Sequence, residues 1–411
     1  MLIEAVFDPS AIKTALAVCR PDSEPTIEDY IDLSTGERLI PYSPHNNLLA
    51  SGCVLLPSNI EEFGDKADMV GAVRAFIHRY VDLSPIFEEI ATHYVLLSWV
   101  YDAFNELPYL RFRGDYGTGK TRALLTIGSI SYKPFFASGA STVSPIFHVL
   151  DAFGGTLVLD EADLRFSDAT AELTKILNNG NMTGMPVLRT MSNRHRELNP
   201  QAFKVFGPKL IGMREHFADR ALESRFLTEE TGQRRLRDDI SIHLPSSLKV
   251  EAQALRNRLL AWRFRNRHVV GVDPTRIVSG IAPRLNQTAL ALLSIVDDEG
   301  LRDRIARELV GEEARVFSER ASSAEYTVLA AITEAATVSP RSHIALADIA
   351  RRVSRKISET LEDSFTSKAV GCVVRTKLRL PTVKSHGVYV IPNTARPAIA
   401  ALALRYGIAM K

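Results

Sequence analysis

Cysteine is scarce: Cys19, Cys53 and Cys372 are the whole supply in 411 residues, with no metal-ligand spacing and no even-numbered set. That excludes a disulfide framework and a cysteine-based metal site, and a reduced, cytoplasmic compartment is the expectation. Long apolar runs are missing as well. None approaches the roughly 20 residues that a bilayer-spanning helix needs, so no membrane partner is expected. The opening residues, MLIEAVFDPS, show no basic stretch followed by an apolar one, so no secretory signal is read there. Neither an internal repeat nor a low-complexity segment is present. Nor is one sign of charge in excess overall, since 50 Lys and Arg face 48 Asp and Glu.

What is present is ordinary in bulk: 45% hydrophobic and 24% charged residues, as in a soluble globular protein. The length leaves room for about two to four domains and at least one large core. The near-neutral total hides an asymmetry. Residues 1–65 hold 11 Asp/Glu against 3 Lys/Arg, whereas residues 341–411 hold 13 Lys/Arg against 4 Asp/Glu. Any polyanion contact is therefore expected at the C-terminal end, although a basic face is most often only solvated.

Short strands and turns are expected over residues 1–65, including 2–7, 15–19 and the stretch 52–57. Helical periodicity starts near Asp68, and Ser84-Pro85 supplies an N-cap and first-turn proline for a helix reaching about Phe104. From Tyr109 the pattern alternates: a strand over 109–113, a helix over 120–130, strands near 134–137 and 156–160, and a helix near 168–177. The 156–160 run is almost continuously apolar, as in a strand buried on both faces of a parallel sheet. Segments 185–191 and 202–212 are expected to pair as a hairpin. Residues 245–315 read as helical, and 322–411 as a small α+β domain.

Between the strand at 109–113 and its helix stands Gly114-Asp115-Tyr116-Gly117-Thr118-Gly119-Lys120-Thr121. This is G-x-x-x-x-G-K-T, in the strand-to-helix context that its mechanism requires. The glycines let backbone N–H groups turn onto phosphates, and the helix N-terminus adds partial positive charge. Lys120 would bridge the β- and γ-phosphates of ATP, and Thr121 would hold Mg²⁺. Further on, Thr156-Leu157-Val158-Leu159-Asp160-Glu161 brings two acids to the C-terminal edge of the sheet, where ligands bind in open α/β sheets. Asp160 is expected to position Mg²⁺, and Glu161 to polarise the attacking water. Two solvated acids at a strand end are the bland alternative, and the upstream glycine loop weighs against it. An Asp-Glu pair with an extra strand between the motifs points to ATPases rather than to small GTPases or nucleotide kinases, which lack that glutamate.

On these residues, the span 107–290 resembles AAA+ ATPases, with minichromosome-maintenance helicases as the nearest likeness. The whole chain is similar to ATPases of phages and mobile elements that end in a winged helix. The resemblance implies an α/β fold: an AAA+ core over 107–244 with a parallel sheet flanked by helices, a helical lid over 245–320 and a winged-helix domain over 321–411. A small, acidic, β-rich N-terminal region (1–65) and a helical segment (66–106) precede the core. Ala221-Leu222-Glu223-Ser224-Arg225-Phe226 resembles the family's arginine-finger segment. Arg225 would then complete catalysis on a neighbouring subunit, with Arg220 as fallback and a surface pairing to Glu223 or Glu229 as the structural alternative. Arg284, in Ala282-Pro283-Arg284, matches a second sensor that contacts nucleotide, or is a structural arginine. Arg194, His195 and Arg196 correspond to the tip of a pore hairpin that grips DNA, or to a solvated loop. The chain departs from the family at the first sensor. Its strand ends Leu210-Ile211-Gly212-Met213-Arg214 without an Asn, so Arg214 or an unaligned group has to substitute.

In the last domain, 344–353 forms an amphipathic helix, 366–378 a second, and 382–391 a hairpin turning at Ser385-His386-Gly387. Helix, helix, basic hairpin is the order of a winged helix. Lys368, Arg375 and Lys377 would face the major groove, while Lys384 and His386 on the wing would touch backbone. Protein contacts are the other common use of such a domain. The arginines of 249–268 (Arg256, Arg258, Arg263, Arg265, Arg267) spread around a helix and are expected at solvent or subunit contacts.

The expected protein is an ATP- and Mg²⁺-dependent, ring-forming DNA helicase or translocase, hexameric by family likeness. It would act on single- or double-stranded DNA in the replication of a phage or mobile element. A primase or initiator partner would supply chemistry for which no motif is present. Three rivals stand beside it: a switch-type initiator or helicase loader, a protein-remodelling ATPase with the winged helix as dock, and a structural DNA-binding protein. The intact Lys120, Thr121, Asp160 and Glu161 oppose the last.

Overall fold

An antiparallel sheet opens the chain in the computed structural model: β1 (Leu2–Asp8) pairs β2 (Lys13–Cys19), which pairs β3 (Thr26–Glu28). Every residue is described except 163–167, 193–197, 218, 322–323, 340–341, 358–365 and 409–411. The chain divides into two units, Met1–Leu309 and Val310–Lys411. A short pair, β4 (Ile31–Asp32) and β5 (Arg38–Leu39), follows in the first unit. No named strand forms over 52–57, where Val54 makes only an isolated bridge to Phe135.

Helix Lys66–Tyr80 starts at Asp65, whose carboxylate accepts from the Asp68 N–H while Asp68 accepts from Asp65 in return. This reciprocal cap satisfies two otherwise orphaned donors. Ser84 caps the next helix, Pro85–Trp99, as its sequence predicts. That helix stops at Trp99 rather than near Phe104, and a single 3-10 turn, Tyr101–Ala103, takes the remaining residues.

Then come the strands that position the site: β6 (Tyr109–Arg113), β7 (Phe135–Ser138), β8 (Leu157–Asp160), β9 (Val187–Ser192), β10 (Leu198–Phe203), β11 (Lys209–Met213) and β12 (Phe226–Glu230). Five of them form one parallel sheet in the order β12-β6-β11-β8-β7. β11 therefore lies between β6 and β8, so a strand does separate the glycine loop from the Asp-Glu edge. Both faces of the sheet are covered. Leu110, Phe112, Val158 and Leu210 pack into a core with Trp99 and Trp262, built largely from helices Lys66–Tyr80, Pro85–Trp99, Lys120–Ile130 and Ser247–Asn266. Tyr109, Leu157, Leu159 and Ile211 face a second core with helices Val143–Phe153 and Asp168–Asn179. Double-sided burial explains why β8 reads as unbroken apolar sequence.

Two further expectations need correction. Segment 202–212 is not one strand. β10 pairs β9 antiparallel, the chain breaks at Gly207-Pro208, and β11 joins the central sheet instead. Proline has no N–H to continue a ladder, so the apolar run splits there. The hairpin-tip residues Arg194, His195 and Arg196 lie outside the described residues. Nor do all the arginines of 249–268 stay outside: Arg256 and Arg263 are buried at 4% exposure. Arg263 donates to Glu4 (2.7 Å) and Asp102 (2.9 Å), and Lys133 also pairs with Glu4 (2.8 Å). An acid of the N-terminal region is thus buried among cations of the core, a partnership that helical spacing cannot reveal.

The second unit contains helices Ala324–Val338, Leu346–Ile357 and Ser367–Cys372, the last running into a π-turn over Val373–Lys377, and a closing helix Arg396–Arg405. Strands β13 (Ile344–Ala345), β14 (Val383–Ser385) and β15 (Val388–Ile391) form a sheet in the order β13-β15-β14. The β14–β15 turn has positive φ at His386 (46°) and Gly387 (85°), the signature of a type I′ hairpin. Among the described residues, no helix is long and apolar enough to cross a membrane.

Candidate functional site

The loop after β6 curls because Gly117 and Gly119 take φ of 72° and 92°, a region costly for other residues. Helix Lys120–Ile130 begins directly behind it, so its first N–H groups and its dipole point into the loop. Lys120 Nζ donates to the carbonyls of Gly114 (2.8 Å) and Asp115 (2.6 Å), folding back across the loop. Thr121 Oγ1 donates to Asp160 Oδ2 at 2.5 Å. This contact joins the start of the helix to the end of β8 across the sheet edge. The structure thereby brings together Gly114, Asp115, Tyr116, Gly117, Thr118, Gly119, Lys120, Thr121 and Asp160.

Glu161 follows at once, exposed, with φ of 54°. A non-glycine residue in this left-handed region carries about 1–2 kcal/mol of strain. Its N–H donates to Asp160 Oδ1 (2.9 Å), and the next residue, Ala162, donates to the Gly212 carbonyl (3.0 Å). The backbone is thus pinned at Glu161 and at the residue after it.

Sequence reasoning missed a third wall. A cleft of about 520 Å³ is lined by the loop and the start of its helix, by the acids Asp82, Glu229 and Glu230, and by the chain after β12, including Thr231, Gly232, Arg234, Leu236 and Ile242. Thr231 Oγ1 lies 2.8 Å from Thr118 Oγ1, and a Cβ on Gly232 would come within 2.4 Å of the Thr118 methyl. Only glycine permits that approach, and a Thr-Gly after a strand carries too little pattern to announce it. Arg214, directly after β11, stacks its guanidinium 4.0 Å above the Tyr116 ring and hydrogen-bonds its hydroxyl. The side chain that directly follows β11 therefore reaches the loop.

The donor set suits a nucleotide with Mg²⁺. Among the described residues there is no cluster of three His, Cys, Asp or Glu that would cage a metal alone. Thr121 and Asp160 instead offer two hard oxygens beside a phosphate-shaped loop, and Mg²⁺ takes one or two protein ligands and completes its shell with phosphates and water.

Arg225 and Arg284 lie elsewhere. Arg225 precedes β12, and its carbonyl accepts from the N–H of Tyr109 at the start of β6, the sheet edge opposite the loop. It is buried at 6% exposure, donating to Asn181 Oδ1 (2.8 Å) and Asn178 Oδ1 (2.7 Å). Burial, then the nearby positive charge of Arg284, lowers its pKa. Arg284 is exposed at the start of helix Pro283–Ile295, so the two arginines share that far edge. The surface pairing considered for Arg225 does not form, because Glu223 bonds Arg111 (2.7 Å) and Glu229 bonds Ser84 (2.7 Å). The side chain of Arg220 lies outside the described residues.

In the second unit, Lys368 on helix Ser367–Cys372, Arg375 on its π-turn, Lys384 on β14 and His386 at the hairpin turn are exposed. Lys377 approaches Glu325 at 4.0 Å.

No protein-family model and no curated protein matches the chain. Among solved structures it is similar to the A-form apo structure of the NrS-1 C-terminal region, at 12% identity and a TM-score of 0.39, over 95% of this chain and 96% of that one. It is also similar to the X-ray structure of JCV helicase, at 14% identity and a TM-score of 0.24, over 64% of each chain.

Proposed function

We propose that this chain is an ATP-hydrolysing DNA motor of the AAA+ kind, a ring-forming helicase or translocase in DNA replication of a phage or mobile element. One observation carries the reading: the 2.5 Å contact between Thr121 and Asp160, which unites a phosphate loop with an acidic strand end across an intervening strand. In this reading the loop N–H groups and Lys120 hold the β- and γ-phosphates, Lys120 leaving the two carbonyls it now satisfies. Thr121 and Asp160 would hold Mg²⁺, and the ion would supply positive charge against the phosphates. Glu161 accepts a proton from the attacking water, its strained backbone fixing where the carboxylate stands. Arg214 reports phosphate occupancy through Tyr116. Because Arg225 and Arg284 occupy the opposite sheet edge, any nucleotide they touch belongs to a neighbouring subunit, which supports a ring, hexameric by family likeness. The basic C-terminal unit, taken as a winged helix, supplies DNA contacts.

A switch-type initiator or helicase loader is the second reading. It is favoured by the bonds of Arg225 to Asn178 and Asn181, which have to break before the guanidinium reaches a neighbour. Lys120→Ala tests the common premise. Magnesium-dependent ATP binding, followed by calorimetry, should disappear in the variant while the thermal melt stays put. Tight binding by the variant would remove the phosphate-loop assignment.

A further inference from the structure

The second unit holds a groove of about 580 Å³. That size falls within the roughly 300–1,000 Å³ of small-ligand sites. The segment of helix Ser367–Cys372 and its π-turn contributes Lys368 and Arg375, and the β14–β15 hairpin contributes Tyr389. Tyr389 is 56% exposed, an aromatic ring with a face open to water. Lys384 stands directly opposite Tyr389 in the antiparallel register, which puts both on one face of the hairpin. No Asp or Glu is among the residues that line the groove. Cations on two sides of an exposed ring make a site for an anion that also carries flat apolar surface.

We infer that this groove takes single-stranded nucleic acid, one base stacking on Tyr389 while Lys368, Arg375 and Lys384 draw the backbone phosphates. The inference rests on the DNA-motor reading and narrows its ligand. A paired base has both faces covered by its neighbours, so a tyrosine ring can stack only on a base that is unpaired and splayed. Duplex readout would need a helix presenting long polar side chains along a major groove. Here only six α-helical residues, Ser367–Cys372, precede a π-turn over Val373–Lys377 that breaks the α-helical spacing of the side chains, and Lys377 lies 4.0 Å from Glu325. The geometry favours the strand over the duplex.

The experiment uses the full chain and a fluorescein-labelled thymidine oligonucleotide, compared with a duplex of equal length, by anisotropy over a salt series. The single strand is expected to bind more tightly. Tyr389→Ala should weaken it by about 5- to 150-fold, the range for one lost base stack, while Tyr389→Phe stays close to wild type. Arg375→Ala should flatten the slope of log affinity against log salt by about 0.7, one phosphate contact on a single strand. Equal affinity for duplex overturns the inference, and so does a Tyr389→Ala variant that binds like wild type. ATP turnover measured on the same preparations keeps the two readings apart. Turnover without single-strand binding overturns the groove and leaves the ATPase in place; strand binding that depends on Tyr389, without any nucleotide binding, supports the groove and sinks the ATPase.

Discussion

Replacing Arg225 by alanine should do two separable things. From a position 6% exposed, the guanidinium donates inside its own subunit to Asn181 at 2.8 Å and to Asn178 at 2.7 Å. A hydrogen bond to a charged group contributes about 1.5–3 kcal/mol, and burying the cation takes part of that back, so the net loss should be about 2–4 kcal/mol. At roughly 2 °C per kcal/mol for a unit of this size, the melting temperature should fall by about 4–8 °C. The second effect is on turnover, measured well below the melt. A residue serving a neighbour's nucleotide loses hydrolysis in trans, so mixing Arg225→Ala with Glu161→Gln subunits should restore part of the activity. Asn178→Ala supplies the control, because it loosens the pin and keeps the guanidinium. It should share the stability loss and retain turnover. An unchanged melt in Arg225→Ala would refute the structural half of this reasoning, and full activity would refute the catalytic half.

Two further outcomes can be checked on the isolated protein. Lys209 is fully buried, its ammonium facing the carbonyls of Val205 (2.9 Å), Gly207 (3.0 Å) and Gly180 (3.2 Å), and burial pulls its pKa down to about 7. In the unfolded chain it titrates near 10.4, so between those values the unfolded state binds the extra proton and stability rises with pH, by at most about 5 kcal/mol. The three carbonyls favour the ammonium and reduce that rise; Lys209→Met should abolish it, and identical pH–stability slopes in wild type and variant would contradict the assignment. Glu161→Gly should melt above Glu161→Ala by about 1 kcal/mol of stability, since glycine alone relaxes at φ of 54°, while neither variant hydrolyses ATP; the reverse order of melts would show the strain is not there.

How much of this was legible in the sequence depended on whether a residue's role is local. The bounds of β6 and of the helix at Lys120 follow from a glycine loop set between two periodicities, and β8 from an apolar run ending in acids. The β14–β15 turn was equally plain, because Ser-His-Gly between alternating residues announces its geometry. Roles fixed by distant partners stayed hidden. Arg263 meets Glu4 and Arg256 meets the Ser129 carbonyl across more than a hundred residues, and helical spacing alone puts both at the surface. The cleft wall after β12 has no period at all. The region 202–212 misled because its apolar run continues through Gly207-Pro208, where the chain changes sheets.

ATP hydrolysis at the glycine loop and the Asp160-Glu161 strand end should be coupled to DNA. Turnover by wild type and Glu161→Gln, with no DNA, with a single strand and with a duplex, tests it most directly. DNA should raise wild-type turnover about tenfold, a barrier lowered by about 1.4 kcal/mol, and Glu161→Gln should bind ATP without hydrolysing it. Turnover that is real but indifferent to both forms of DNA, or a Glu161→Gln variant that hydrolyses normally, would contradict it.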